Sequence, residues 1–283
     1  MTGANPTVRQ RELGMQLRRL RTDRGLTVEE VADRLLCSAT KISRMETGAR
    51  RPSLRDVRDL SELYEIDVSA AEDLMALARQ ARELGWWKQY DDLRLDPFIG
   101  LEQDASAITN FTMFYVPALI QTEDYARAII KAIAPRIDPK ILEQRVEVRM
   151  RRQELLERDN HPRYRVLVDE SVLHRPAGGH QVMAAQLTKV LKYAKDDKAA
   201  VQVVPFDIGV PAISDSNFVL LDFDDPVLSS VVFVEGLTSN QIFEKRSDLD
   251  RYREAVEHLR DSALSPRDSV TRITDAQKTY IDG

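Results

Sequence analysis

The sequence predicts an α + α/β protein, with an all-α N-terminal domain, a helical connector and a small α/β domain of about four strands. Short segments with apolar residues at helical spacing fill the N-terminal part. Longer helical patterns follow, and short β-branched runs bounded by Pro, Gly and Asp then replace them. The expected boundaries are residues 1–84 for the first domain, 85–265 for the second (helical part 101–158, sheet part 163–265) and 266–283 for a polar tail.

Charge is distributed unevenly along the chain. The 283 residues carry a net charge of -5, with 43% hydrophobic and 31% charged residues, as in a soluble globular protein of about two domains. Residues 1–58 hold 13 Lys and Arg against 7 Asp and Glu, whereas residues 59–283 hold 28 against 39. A basic N-terminal segment on an acidic body indicates that this segment meets a polyanion and that the body does not.

Several protein classes are disfavoured by what the sequence lacks. It has no run of about 18 apolar residues for a membrane helix and no apolar N-terminal run of a secretory signal. The lone Cys37 cannot form an intramolecular disulfide. We therefore expect a cytoplasmic protein without a membrane partner, and no cofactor is expected.

Three closely spaced helices are predicted at the N-terminus. The first carries Leu13, Leu17 and Leu20 on one face and ends near Gly25. Thr27 and Glu30 have the spacing of a capping box, which begins the second helix.

The third helix follows after a tight turn. Ser38 can cap it, Ile42 and Met45 form its apolar side, and Gly48 ends it. The small Ala32 lies where the second and third helices would cross. This layout is typical of a helix-turn-helix.

The outer face of the third helix is small, polar and basic. At about 100° per residue, this face lies opposite Ile42 and Met45. Arg44 can offer a bidentate fork to guanine in the major groove, whereas Glu46 falls nearer the core and is predicted to be structural. The candidate base-reading residues are Thr40, Ser43, Arg44 and Thr47.

Basic residues on both sides of this helix are candidate phosphate contacts, which give affinity and register without reading sequence. They are Arg18, Arg19, Lys41, Arg50, Arg51 and Arg55. The alternative interpretation is a helical bundle with a merely basic end.

The run from about residue 10 to 65 resembles the Xre/Cro, lambda-repressor-like family of DNA-binding domains. The family's hallmark string I-S-x-x-E-x-G is present as Ile42, Ser43, Glu46 and Gly48. Val28 departs from the pattern, because many members carry a Gln there that supports the first contact. Double-stranded DNA is the expected partner, and a homodimer is expected because one domain of this size reads few base pairs. The residues expected to be structural are Thr27, Glu30, Ala32, Glu46 and Gly48.

Catalytic constellations are weak. Asp169, Glu170, His174 and His180 lie close in sequence, but their spacing matches no metal-ligand pattern and a probable loop separates the two His. No phosphate-cradling glycine loop or nucleophile elbow is present. A non-enzymatic protein without a metal is expected, and a DNA-targeted hydrolase or metal-dependent enzyme is the alternative. A scaffold that has lost DNA binding is a third option.

A second resemblance covers about residues 85–260. It is to the C-terminal domain of unknown function that follows an Xre-type domain in many bacterial regulators, and it implies an antitoxin-like regulator with a small protein partner encoded nearby. It rests on the strings "VPALIQTEDYARA", "VRMRRQELL", "LVDESVLHRPAGG" and "VQVVPFDIG". A Pro-interrupted loop with exposed anchors is the predicted docking site. Its residues are Tyr115, Pro117, Leu119, Gln121 and Tyr125.

Overall fold

The chain forms two compact units. The computed structural model describes residues 8–82, 85–90, 96–211, 213, 216–224, 229–236 and 239–282. Of these, the residues up to 104 belong to the first unit and those from 105 onward belong to the second. The predicted N-terminal helical region and the α/β region that follows it are both observed.

The first unit is helical throughout its described part. Side-chain caps define where its helices begin: Thr27 and Glu30 form a capping box, as do Ser53 and Asp56, and Asp67 accepts a hydrogen bond from the Ala70 amide. The helices are α1 (Val8–Asp23), α2 (Val28–Arg34), α3 (Ala39–Glu46), α4 (Leu54–Leu63) and α5 (Val68–Gln80), followed by a 3-10 turn (Trp86–Gln89) and α6 (Asp96–Asp104).

A mixed six-stranded sheet forms the centre of the second unit. The strands are β1 (Ala107–Thr112), β2 (Arg163–Asp169), β3 (Ala200–Val204), β4 (Phe218–Asp222), β5 (Val231–Glu235) and β6 (Asn240–Phe243), in the order β3-β2-β1-β4-β5-β6. The first three strands pair in parallel, and β4, β5 and β6 continue the sheet in antiparallel pairs.

The expectation of about four strands was wrong, because β1 and β6 were missed. β1 lies inside the part predicted to be helical and occupies the middle of the sheet. Side chains on both of its faces are buried, so it lacks the alternation that marks a half-exposed strand. β6 is a short edge strand with only partly buried or exposed side chains, and its sequence therefore carries little apolar signal.

Helices pack around this sheet. They are α7 (Glu123–Ile133), α8 (Pro139–Gln153), α9 (His180–Lys195), α10 (Arg246–Ser262) and α11 (Pro266–Ile281). The last of these corrects the prediction of a polar tail at 266–283. α11 packs against α9 and β3, and it buries Ser269, Ile273 and Ala276.

The beginning of α11 covers an edge of the sheet. The Val203 amide in edge strand β3 donates to the Ser269 hydroxyl (3.0 Å), and the Leu264 amide donates to the Val203 carbonyl (2.8 Å). An uncovered edge would present these backbone groups for pairing with another chain. The C-terminal helix is therefore part of the fold.

We expect Ile273→Ala to destabilise the protein by about 2–5 kcal/mol, because it leaves a cavity at a fully buried position. Ile281→Ala is the matched control, since it makes the same change in the same helix at a side chain that is 64% exposed. Urea denaturation followed by circular dichroism measures both. Equal, small effects would mean that α11 does not pack as described.

Candidate nucleic-acid interface

A buried ion pair joins α1 to the end of α3. Nε and Nη2 of Arg21 donate to the two carboxylate oxygens of Glu46, at 2.7 and 3.0 Å. Nη1 of Arg21 also donates to the Leu26 carbonyl (2.6 Å) in the turn before α2. The side chains are only 11% and 6% exposed, and the hydrogen bond to Glu46 raises the pKa of Arg21. This bidentate contact fixes the rotation of α3 relative to α1.

Close backbone packing holds α3 at the same place. A Cβ on Gly14 of α1 would lie 2.6 Å from the Met45 carbonyl oxygen, so only glycine permits this approach. The Gln10 side chain donates to the Gly48 carbonyl (2.7 Å), and Gly48 has a φ of +68°, which suits its place just after the helix. Ile42 points into the core. The opposite face of α3 is thereby turned outward.

The predicted base-reading residues all lie on this outward face. Thr40, Ser43, Arg44 and Thr47 are exposed. The Thr47 hydroxyl donates to the Ser43 carbonyl (3.0 Å), so its oxygen remains free to accept. Arg44 forms no ion pair within the described residues, and its guanidinium is available for an external acceptor. The outward face of α3 can therefore present the Arg44 guanidinium, a forked hydrogen-bond donor, among small polar side chains.

The predicted phosphate contacts fall into two groups. Arg18 and Arg50 are exposed and form no ion pair in the part of the chain that the structure describes. Arg19 and Arg55 make only long, exposed pairs with acids one helical turn away, at 3.7 and 3.5 Å. Such pairs contribute little and separate readily. These four side chains can reach a phosphate at little cost.

Arg51 and Lys41 are more constrained. Nε of Arg51 donates to Gln10 (3.3 Å), and Nζ of Lys41 contacts Asp56 at 2.5 Å. Burial raises the pKa of Asp56, but hydrogen bonds from Lys41 and Ser53 outweigh burial and hold that pKa below its usual value. Lys41 therefore braces α3 against α4, and it must leave Asp56 to reach a phosphate.

Two family descriptions match the chain. The description "Helix-turn-helix domain" matches residues 12–74, and "Domain of unknown function (DUF5753)" matches residues 95–275. The chain belongs to the DUF5753 family. No curated protein and no solved structure matched it. It is thus a helix-turn-helix protein with a C-terminal DUF5753 domain, and the helix-turn-helix match supports a DNA-binding regulator.

The docking site predicted in the DUF5753 domain is not an exposed loop. Leu119, Gln121 and Tyr125 are buried, as is Pro117, and Tyr115 is half-buried. A 3-10 turn at Ala118–Ile120 and the helix α7 that follows fold this stretch into the core. The buried polar groups bond locally, while the neighbouring Phe114 is 50% exposed, and a docking role for this stretch stays a prediction.

Those local bonds are specific. The Gln121 amide donates to the Val116 carbonyl (2.5 Å), and the Val116 amide donates to the Tyr125 hydroxyl (3.2 Å). Neither bond can be predicted from the sequence, since a glutamine and a tyrosine in a predicted loop are equally consistent with surface positions. The segment supports the fold.

The acid and histidine cluster is also occupied by internal contacts. Glu170 accepts a hydrogen bond from the Phe206 amide (2.9 Å) and pairs with Arg272. Nε2 of His174 lies 3.8 Å from Oε1 of Glu170. His180 instead packs edge-on against Tyr280. Within the described ranges, no three His, Cys, Asp or Glu side chains are grouped as a metal site would require. None of the helices described there is long and apolar enough to cross a membrane.

We expect Glu46→Ala to lower the free energy of unfolding by roughly 3–5 kcal/mol, because it leaves the Arg21 charge buried without a partner. Asp23→Ala is the control, since it removes a carboxylate from the exposed pair with Arg19 and should change stability by at most about 0.5 kcal/mol. Thermal and urea unfolding measure both variants. Similar effects for the two would contradict the bracing role of Glu46.

Proposed function

We propose that the protein is a sequence-specific transcription regulator that places α3 in the major groove of double-stranded DNA. The observation that supports this proposal is that Arg44 is exposed on the outer face of a helix whose inner side is held by the Arg21–Glu46 pair. A fixed helix with a free guanidinium suits bidentate recognition of guanine. Thr40, Ser43 and Thr47 are small enough to let the helix approach the base edges.

The exposed arginines beside α3 would contact the phosphate backbone. Arg18 lies on α1 and Arg50 follows the end of α3, so they would hold the helix from two sides. Such contacts release counterions and make affinity depend strongly on salt. We propose that they set the register, while α3 sets the preference for sequence.

We further propose that the protein acts by binding and not by catalysis, in the cytoplasm, as an antitoxin-like homodimer. The support is the resemblance of about residues 10–65 to Xre-type domains and of about residues 85–260 to the domain that follows them in many bacterial regulators. In this scheme the DUF5753 domain binds a small protein encoded nearby, or another effector, and that binding alters affinity for DNA. Titrating the neighbouring gene product into the protein with and without bound operator tests this coupling, and an unchanged DNA affinity would refute it.

Arg44→Ala should relax sequence preference and cost about 1–3 kcal/mol on the best site selected from a random DNA pool. Arg50→Ala should weaken all sequences about equally and lower the slope of log affinity against log salt by about one. Gel shifts on selected and scrambled DNA separate the two effects.

Arg79→Ala is the control for these variants. It removes the same charge from an exposed position on α5, outside the predicted interface, and should leave affinity and salt slope near their original values. If Arg44→Ala and Arg50→Ala behave alike, the assigned orientation of α3 on DNA is incorrect.

A footprint of the full-length protein should cover two half-sites about one helical turn, roughly 34 Å, apart, since one helix-turn-helix domain reads few base pairs. Sedimentation of the complex should give two chains per operator. A single protected half-site with one bound chain would contradict the homodimer.

A further inference from the structure

Several chain segments meet at one edge of the sheet. The chain passes from β1 to β2 and β3 on one side, then returns to place β4 on the other side of β1. Here that edge carries the segment after β1 and the start of β4, because Phe111 pairs with Phe218. Glu235, at the end of β5, lies on the same edge.

Two hydrogen bonds fix the segment after β1. The Thr112 hydroxyl donates to the Tyr115 carbonyl (2.7 Å), and the Met113 amide donates to Oδ1 of Asn217 (2.9 Å) just before β4. Burial raises the pKa of Tyr115, and Glu235 raises it further, while Arg149 and Asn217 oppose them. The charges of Glu235 and Arg149 therefore act on Tyr115 at this edge of the sheet.

Arg149 on α8 brings a charge to this edge without a counterion in contact. In the described part of the chain its guanidinium makes one hydrogen bond, from Nη1 to the neutral amide oxygen of Gln121 (3.1 Å), and no ion pair. Protein surrounds the side chain closely, and burial followed by the charge of Arg152 lowers its pKa to about 10. It is still protonated at neutral pH.

The remaining donors of Arg149 are not used within the protein. Among the described residues, Nε and Nη2 of Arg149 make no hydrogen bond, and neither is a fully buried atom. A half-buried guanidinium with free, accessible donors is suited to a planar oxyanion.

We propose that this edge is a binding site for a small molecule carrying a carboxylate or phosphate group, which Arg149 pairs with and Tyr115 hydrogen bonds. Arg145 and Arg152 lie on the same side of α8 as Arg149, at helical spacings of four and three, and their charges lower its pKa, whereas Glu235 raises it. Asn217 and Glu235 border the site, and the exposed Glu235 favours a ligand with a hydroxyl or ammonium group beside its oxyanion. The desolvated surroundings strengthen the Arg149 contact.

This site extends the proposed function, because it would bind the effector of the DUF5753 domain. Only its regulatory role rests on that proposal. Binding itself is measured without DNA. Failure to bind the probes below would remove the site and leave the DNA-binding proposal intact. Binding of the probes by a protein that does not bind DNA would support the site and contradict the DNA-binding proposal.

The test uses the full-length protein with acetate, inorganic phosphate or chloride at constant ionic strength. Phenylglyoxal modifies accessible arginines, and peptide mass spectrometry follows the reaction at Arg149. A probe at ten times its dissociation constant should slow modification of Arg149 about tenfold relative to chloride, since protection scales with one plus the ratio of ligand to dissociation constant. Acetate and phosphate as separate arms distinguish a carboxylate ligand from a phosphate ligand.

Variants decide whether the contact is specific. Tyr115→Phe should weaken binding about three- to tenfold, the share of one hydrogen bond, and Arg149→Gln should abolish it. Arg136→Gln, which removes the same charge from an exposed loop position, should have no effect. If Arg149→Gln fails to fold, Tyr115→Phe alone decides.

Four outcomes would overturn the proposal. The first is an Arg149 that phenylglyoxal does not modify in chloride, and the second is a modification rate that neither acetate nor phosphate changes. The third is equal binding by the original protein and Tyr115→Phe. The fourth is equal weakening by Arg136→Gln and Arg149→Gln, which would mean bulk charge and not a site.

Discussion

The buried ion pair between Arg21 and Glu46 is the contact on which the orientation of α3 depends. α3 has eight residues, too few to be stable as an isolated helix, so tertiary contacts must set its position. Burying two charges is costly, and a well-packed apolar pair would serve stability as well or better. An apolar pair would not fix the direction in which the two helices meet. Nε and Nη2 of Arg21 bind the carboxylate of Glu46 in a bidentate geometry. Arg21 also donates to the Leu26 carbonyl, so one side chain links α1, the turn before α2 and the end of α3.

The sequence predicts the local features of this domain well and the long-range ones poorly. The Thr27–Glu30 capping box can be read because both residues lie within one helical turn. Glu46 can be assigned to the flank near the core by periodicity, but nothing in the sequence identifies Arg21, 25 positions away, as its partner. Lys41 illustrates the same gap. Its position beside the outer face suggests a phosphate contact, whereas its pairing with Asp56 depends on how α4 packs.

In the DUF5753 domain, β-branched runs identified β2, β3, β4 and β5, because strands rich in Val and Leu carry an unambiguous signal. β1 contains Thr109 and Thr112, both buried, and its place in the middle of the sheet depends on neighbours distant in sequence. α11 looks like a polar tail because its buried stripe is narrow and includes a serine that caps a strand edge. A polar residue that is satisfied inside a fold cannot be distinguished by sequence from one in water.

Arg21 and Arg149 show how differently two enclosed guanidiniums can be used. Arg21 has a carboxylate at 2.7 Å and three hydrogen bonds to protein acceptors, so its charge is neutralised within the domain. Arg149 donates to one neutral amide oxygen, and the effect of Glu235 on its charge is opposed by Arg152 and Arg145 of α8. Desolvating a cation without a counterion in contact lowers stability. An incoming oxyanion would bind best where such a charge is already enclosed and held in place, because no side chain has to be ordered when it binds.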